Sequence, residues 1–139
     1  MNVYIASPEH SHDRGADIKK IAEWIKSIYP NANIYCSKER DSMFWCSFDR
    51  DSAKQSLNRN LKHLETADLV VCAYSNSESN CAAWEVGYAQ AKGKEVWLVA
   101  PRYWFDPISL AFVTVNKLFA PSGPEGKIEK ANWDKSKWI

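Results

Sequence analysis

Apolar residues recur along this chain with two different periods, and the changes from one period to the other mark out its elements. Residues 3–7, VYIAS, form a short β-rich apolar run closed by Pro8 and the polar stretch EHSHDRG, which predicts a first strand followed by a loop. From Asp17 to Tyr29 the apolar positions Ile18, Ile21, Ala22, Ile25, Ile28 and Tyr29 fall three and one apart, the spacing of an amphipathic helix, and Pro30 closes it. ANIYC, residues 32–36, predicts a second strand. The polar and aromatic loop after it, SKERDSMFWCSFDR, is long enough to be functional; its Phe44, Trp45 and Phe48 either close over a ligand or pack.

Ala53, Leu57, Leu61 and Leu64 share one face between Asp51 and Thr66, which predicts a second helix leading into LVVCAYS at 69–75. That run is nearly continuous in apolar residues, as in a strand buried on both sides. SNSESN supplies capping residues for a third helix that Gly93 ends, and EVWLVAP at 95–101 is another buried strand. Strands alternating with helices in this way predict a single α/β domain over residues 1–139. Its core is a doubly wound, mostly parallel five-stranded sheet (Rossmann- or flavodoxin-like) with helices on both faces and ligands at the carboxyl ends of the strands. Beyond about Pro121 the chain is rich in Lys, Gly and Pro, and an irregular tail is expected.

Composition narrows the partners. Eighteen Lys and Arg balance 17 Asp and Glu, so no strong field draws the chain to nucleic acid polymers or an anionic membrane, and a small molecule or a protein is the expected partner. No stretch approaches the ~20 apolar residues of a membrane span, and MNVYIASPEH lacks the regions of a signal peptide, so the expected location is the cytoplasm. Cys36, Cys46, Cys72 and Cys81 form no CxxC pair, and two of them lie in or beside apolar segments, where thiols pack as small hydrophobes; no metal site is expected. His10 and His12 fall in a polar loop, and His63 on the surface of a helix. The seven tryptophans either pack or stack on a planar ligand.

One residue resists this bland reading. In NCAAWEVGYAQAKGK, residues 80–94, Glu85 has Cys81, Ala82, Tyr88 and Ala89 as its helical neighbours, and none is a cation. Burying an unpaired carboxylate costs several kcal/mol. Two readings follow: a nucleophile near the positive end of the helix, with Gly87 and small residues leaving room for a ligand, or a glutamate paired with Arg14, Arg50 or Lys54 or half exposed at the helix edge.

ADLVVCAYSNSESNCAAWEVGYAQAKGKEVWLVAP, residues 67–101, resembles the segment of the nucleoside 2-deoxyribosyltransferase superfamily that ends in Glu, an apolar residue, Gly, a bulky residue and Ala, followed by a Gly-Lys turn and a buried strand. The likeness is best over 57–101 and stays in register from 3 to about 119. It implies that Glu85 attacks C1′ of a ribose or deoxyribose to form a glycosyl ester, that Tyr4 orients it, and that Ser7 and Gly87 belong to the substrate site. Asn60 stands where the family has an Asp that protonates or holds the leaving base; an amide can hydrogen-bond a base edge but supplies no proton.

Ser79 replaces the Asp with which the nucleoside transferases bind the 5′-hydroxyl, and Ser109 in PISLAF matches a serine that the nucleotide-hydrolysing branch supplies from an adjacent subunit. The resemblance thus implies an N-glycosidase acting on a nucleoside 5′-monophosphate and releasing free base and (deoxy)ribose 5-phosphate. It also implies no metal or organic cofactor, and a homodimer or higher homo-oligomer with shared sites. Arg14, His10 or His12 stand where that branch has its phosphate loop. The alternatives are base exchange on a nucleoside, and a nucleotide-binding module without turnover.

Overall fold

The computed structural model describes residues 1–6, 18–36, 50–73, 80–100 and 115–131. Over these the chain runs β1 (Asn2–Ala6), α1 (Ile18–Ile28), β2 (Asn33–Cys36), α2 (Arg50–Thr66), β3 (Leu69–Ala73), α3 (Asn80–Ala91), β4 (Glu95–Val99), β5 (Lys117–Ser122) and β6 (Lys127–Lys130). One six-stranded sheet takes the strands in the order β2-β1-β3-β4-β5-β6. β1 to β5 are parallel and β6 runs antiparallel to β5. No helix among the described residues is long and apolar enough to cross a membrane.

The alternation within each strand sorts its side chains into two cores. Val3 and Ile5 of β1, Leu69 and Val71 of β3, and Trp97 and Val99 of β4 face α1, where Ile21 and Ile25 close on them. Tyr4, Val70, Cys72, Val96 and Leu98 face the other way, under Leu64 of α2 and Ala82, Val86 and Ala89 of α3. Both faces of β1, β3 and β4 are therefore buried, which is why these strands carry almost no polar residue.

The sheet has one strand more than the five expected, and it lies in the segment that composition assigns to an irregular tail. Gly123 and Gly126 have φ of 69° and 67°, a left-handed geometry open to glycine without a Cβ clash, and between them the chain reverses along β5. β6, KIEK, forms the sheet's edge with only Ile128 packed into the core beneath. Charged side chains suit an edge because they discourage pairing with another chain, but they also erase the hydropathy signal of a strand.

A second difference concerns α2. The apolar spacing directs Leu57 inward, yet Leu57 is 45% exposed and Ser56 is only 9% exposed. The buried line thus runs through Ser56 and Leu64, with Asn60 between them and half buried, so the inward face keeps Leu64 and is turned by roughly 55° from the centre of the face that the apolar spacing predicts. In α1, Ile28 of the predicted apolar face is likewise exposed. α3 ends as expected at Gly93 (φ 70°), where the backbone N–H of Gly93 donates to Gln90 and that of Lys94 to Ala89, satisfying carbonyls the helix leaves open.

β1 lies between β2 and β3 although β2 follows it in the chain, so the connections leave the sheet in opposite directions there. In open α/β sheets the crevice outside the carboxyl ends of such strands is where ligands bind. The site described next is built on this pair of strands.

Candidate active site

Tyr4 sits in the middle of β1 and Glu85 in the second turn of α3, 81 residues apart in sequence. Ala82, Val86 and Ala89 lie beside Glu85 on the buried side of the helix, and the two alanines bring its backbone close to the sheet. The Tyr4 hydroxyl consequently reaches Glu85 and donates a hydrogen bond of 2.9 Å to Oε1. Tyr4 is fully buried and Glu85 is 5% exposed, which overturns the reading of a glutamate half exposed at the helix edge. Of the cations proposed to pair with it, Lys54 is exposed, while Arg14 and the Arg50 side chain lie outside the described residues.

The charge on Glu85 is felt by its surroundings. Burial first, and then the negative carboxylate of Glu85, push the Cys72 thiol of β3 far above its ordinary range, so the sulfur remains a neutral S–H. The thiolate is the reactive species in alkylation. Peptide mass spectrometry after iodoacetamide treatment at about pH 8 is therefore expected to find Cys72 unmodified in the folded protein and modified once guanidinium unfolds it. Rapid labelling of native Cys72 would contradict this burial.

Beside Tyr4 the parallel register places Tyr35 of β2, with the two rings 5.5 Å apart. Tyr35 donates a 2.7 Å hydrogen bond to Oδ1 of Asn60 on α2, and its ring stacks on His63 at 3.7 Å with an interplanar angle of 10°. The structure thus brings Glu85, Tyr4 and Asn60 into one run of contacts through Tyr35. Gly87 is not part of it: two residues beyond Glu85 it points about 200° around the helix, and a Cβ built there would meet nothing within 4 Å. Ser7, Ser79 and Ser109 lie outside the described residues, as do His10, His12 and the aromatic loop at 37–49. Among the described residues no three His, Cys, Asp or Glu side chains are grouped to hold a metal ion.

Sequence reasoning passed over Tyr35 and took His63 for a surface residue, whereas it is half buried against Tyr35. The signal for Tyr35 was present: in ANIYC it alternates with Ile34, so pairing β2 beside β1 in register puts it on the face of Tyr4. Finding it requires the strand order, which hydropathy does not contain.

Comparison with known proteins adds an independent line. The family model described as nucleoside 2-deoxyribosyltransferase matches residues 3–104. No curated protein sequence matches. Among solved structures the chain is similar to the 2-deoxyribosyltransferase of the psychrotolerant bacterium Bacillus psychrosaccharolyticus, with a TM-score of 0.65 and 19% identity over 86% of this chain and 85% of that one. It is also similar to a conserved protein from Enterococcus faecalis V583, with a TM-score of 0.53 and 22% identity over 73% of this chain and 64% of that one. At these identities the two structures speak to the fold alone.

Proposed function

The chain belongs to the nucleoside 2-deoxyribosyltransferase family, and from that premise we propose that it cleaves the N-glycosidic bond of a nucleoside with Glu85 as nucleophile and passes the sugar to a second base. The observation that carries this reading is the buried Tyr4–Glu85 pair. A phenol donating to one carboxylate oxygen orients the group while leaving its negative charge in place, as attack on an oxocarbenium-like carbon requires. In the first step a Glu85 oxygen bonds to C1′ as the C1′–N bond breaks, and the base leaves with the electron pair. In the second step a nitrogen of the incoming base attacks C1′ as its proton passes to water, the ester bond breaks, and the carboxylate is regenerated. Two displacements at one carbon return the original configuration. Asn60 holds the base in this scheme, and no step draws on a metal or organic cofactor.

A second reading, hydrolysis of a nucleoside 5′-monophosphate, is favoured by one observation: positions 79 and 109 are serines, and position 79 thus has no carboxylate to repel a phosphate. Water then replaces the second base, and (deoxy)ribose 5-phosphate is the product. The sequence alone ranked this reading first; the family match supports glycosyl transfer without singling out hydrolysis.

Two assays on the full chain separate them. Incubation of a 2′-deoxynucleoside with a different free base is expected to give the exchanged nucleoside, while a monophosphate in water is expected to release base only under the second reading. Binding without release of base in either assay would overturn both and leave a nucleotide-binding module. Should the site be shared between copies, as proposed here for at least a dimer, turnover by a species that light scattering shows to be monomeric would remove that part.

A further inference from the structure

Two tyrosines stand side by side in this site and do parallel work. Tyr4 of β1 and Tyr35 of β2 are register partners, and each hydroxyl donates to a polar side chain from a helix above the sheet: Tyr4 to Glu85 of α3, Tyr35 to Asn60 of α2. Neighbouring strands lie ~4.8 Å apart. The nucleophile and the amide are therefore anchored by two tyrosines whose backbones are one strand spacing apart and whose rings touch the same core. The Tyr35 ring is itself held, with His63 stacked on it and Tyr4 beside it, so the direction of its hydroxyl is set by packing.

A side-chain amide has an acceptor end and a donor end, and a 180° turn about its last bond exchanges them. The Tyr35 hydroxyl donates to Oδ1 at 2.7 Å, which engages the acceptor end. The donor end, Nδ2, has no hydrogen-bond partner among the described residues. Asn60 lies one turn from buried Ser56 and one from buried Leu64 on the inward line of α2, so the side chain that carries this NH2 leaves the helix on the side that faces the sheet.

We infer that Tyr35 is a positioning residue which holds Asn60 with its NH2 toward the leaving base, so that this chain selects a base by an acceptor atom and releases it as an anion without protonating it. The inference rests on the proposed role of Glu85. Chemically, the C1′–N bond breaks, its electron pair stays with the base, and the two N–H donors stabilise that charge. The proton arrives afterwards from water. Neither end of an amide gives up a proton near neutral pH, so no acid at position 60 assists the departure. The site accordingly favours bases that are acidic at the glycosidic nitrogen and carry a ring nitrogen or carbonyl oxygen beside it.

The test uses the full chain and a series of 2′-deoxynucleosides whose bases differ in acidity at the glycosidic nitrogen. With no acid to assist, kcat/KM for base release is expected to rise about tenfold for each unit by which the base becomes more acidic. Asn60→Asp supplies an acid: its slope is expected to flatten, and its rate to rise as pH falls through the range in which that carboxyl gains a proton. Tyr35→Phe frees the amide to turn; its preference between bases with an acceptor and bases with a donor at that edge is expected to collapse, for the departing and the incoming base alike, since both occupy the site that Asn60 lines. A flat slope in the parent, an Asn60→Asp profile identical to the parent, or a Tyr35→Phe variant with unaltered preference would each overturn the inference even though Glu85-dependent turnover is seen. Absence of any Glu85-dependent base release would instead remove the glycosidic reading itself, and this inference with it.

Discussion

Replacing Glu85 with glutamine is expected to abolish base release, lowering kcat by on the order of 10⁶-fold, the scale seen when a covalent nucleophile is removed. The substitution is nearly isosteric. A glutamine oxygen can still accept the hydrogen bond from Tyr4, so the helix, the sheet and the small residues Ala82, Val86 and Ala89 around it keep their packing. What disappears is the negative charge that bonds to C1′. A buried carboxylate also carries a desolvation cost that a neutral amide avoids, so stability is expected to stay level or rise by about 1 kcal/mol. Activity and stability therefore move independently, which separates a lost nucleophile from a damaged fold. Chromatography of released base and a denaturant titration check the two halves. A Glu85→Gln protein that still released base at the parental rate would exclude Glu85 from the chemistry.

How much of this was legible in the sequence depends on the kind of information each feature needs. Buried strands such as LVVCA and EVWLV declare themselves by composition, and α1 by its period, because burial on both faces or on one stripe leaves a local mark. Glu85 was legible for the opposite reason, as a carboxylate with no cation in reach on its own helix. β6 left no mark, since an edge strand has little to bury. The inward face of α2 was read only in part: Leu64 is buried as its leucine spacing predicts, yet Leu57 is exposed, and Ser56 and Asn60 turn toward the sheet beside Leu64. A helix that presents polar groups at a site gives up part of its amphipathic pattern, and local rules fail there for that reason. The Tyr35–Asn60 bond joins residues only 25 apart, but it depends on that rotation and on β2 pairing with β1. Neither is a local property.

Tyr4→Phe is expected to have the next largest effect, and on both stability and rate. Its hydroxyl is fully buried and donates to a carboxylate that is itself almost fully buried, so deletion of one oxygen leaves Glu85 Oε1 without that donor. Losing a partner of a buried charged group costs about 1–3 kcal/mol, more than the hydrogen bond contributes net when both partners are present. The rate is expected to fall ~10²-fold, because a carboxylate no longer held by its donor spends less time aligned with C1′. The two effects have a common origin in the charge of Glu85, and a double-mutant cycle exposes it. In the Glu85→Gln background the same Tyr4→Phe change removes a hydrogen bond to a neutral acceptor, which is roughly half as strong, so its stability cost is expected to shrink. Equal costs in the two backgrounds would mean that Tyr4 serves only as a core residue. In that case the orientation of Glu85 would have to come from groups outside the described residues, and the pairing on which the glycosyl-transfer reading leans would lose its force.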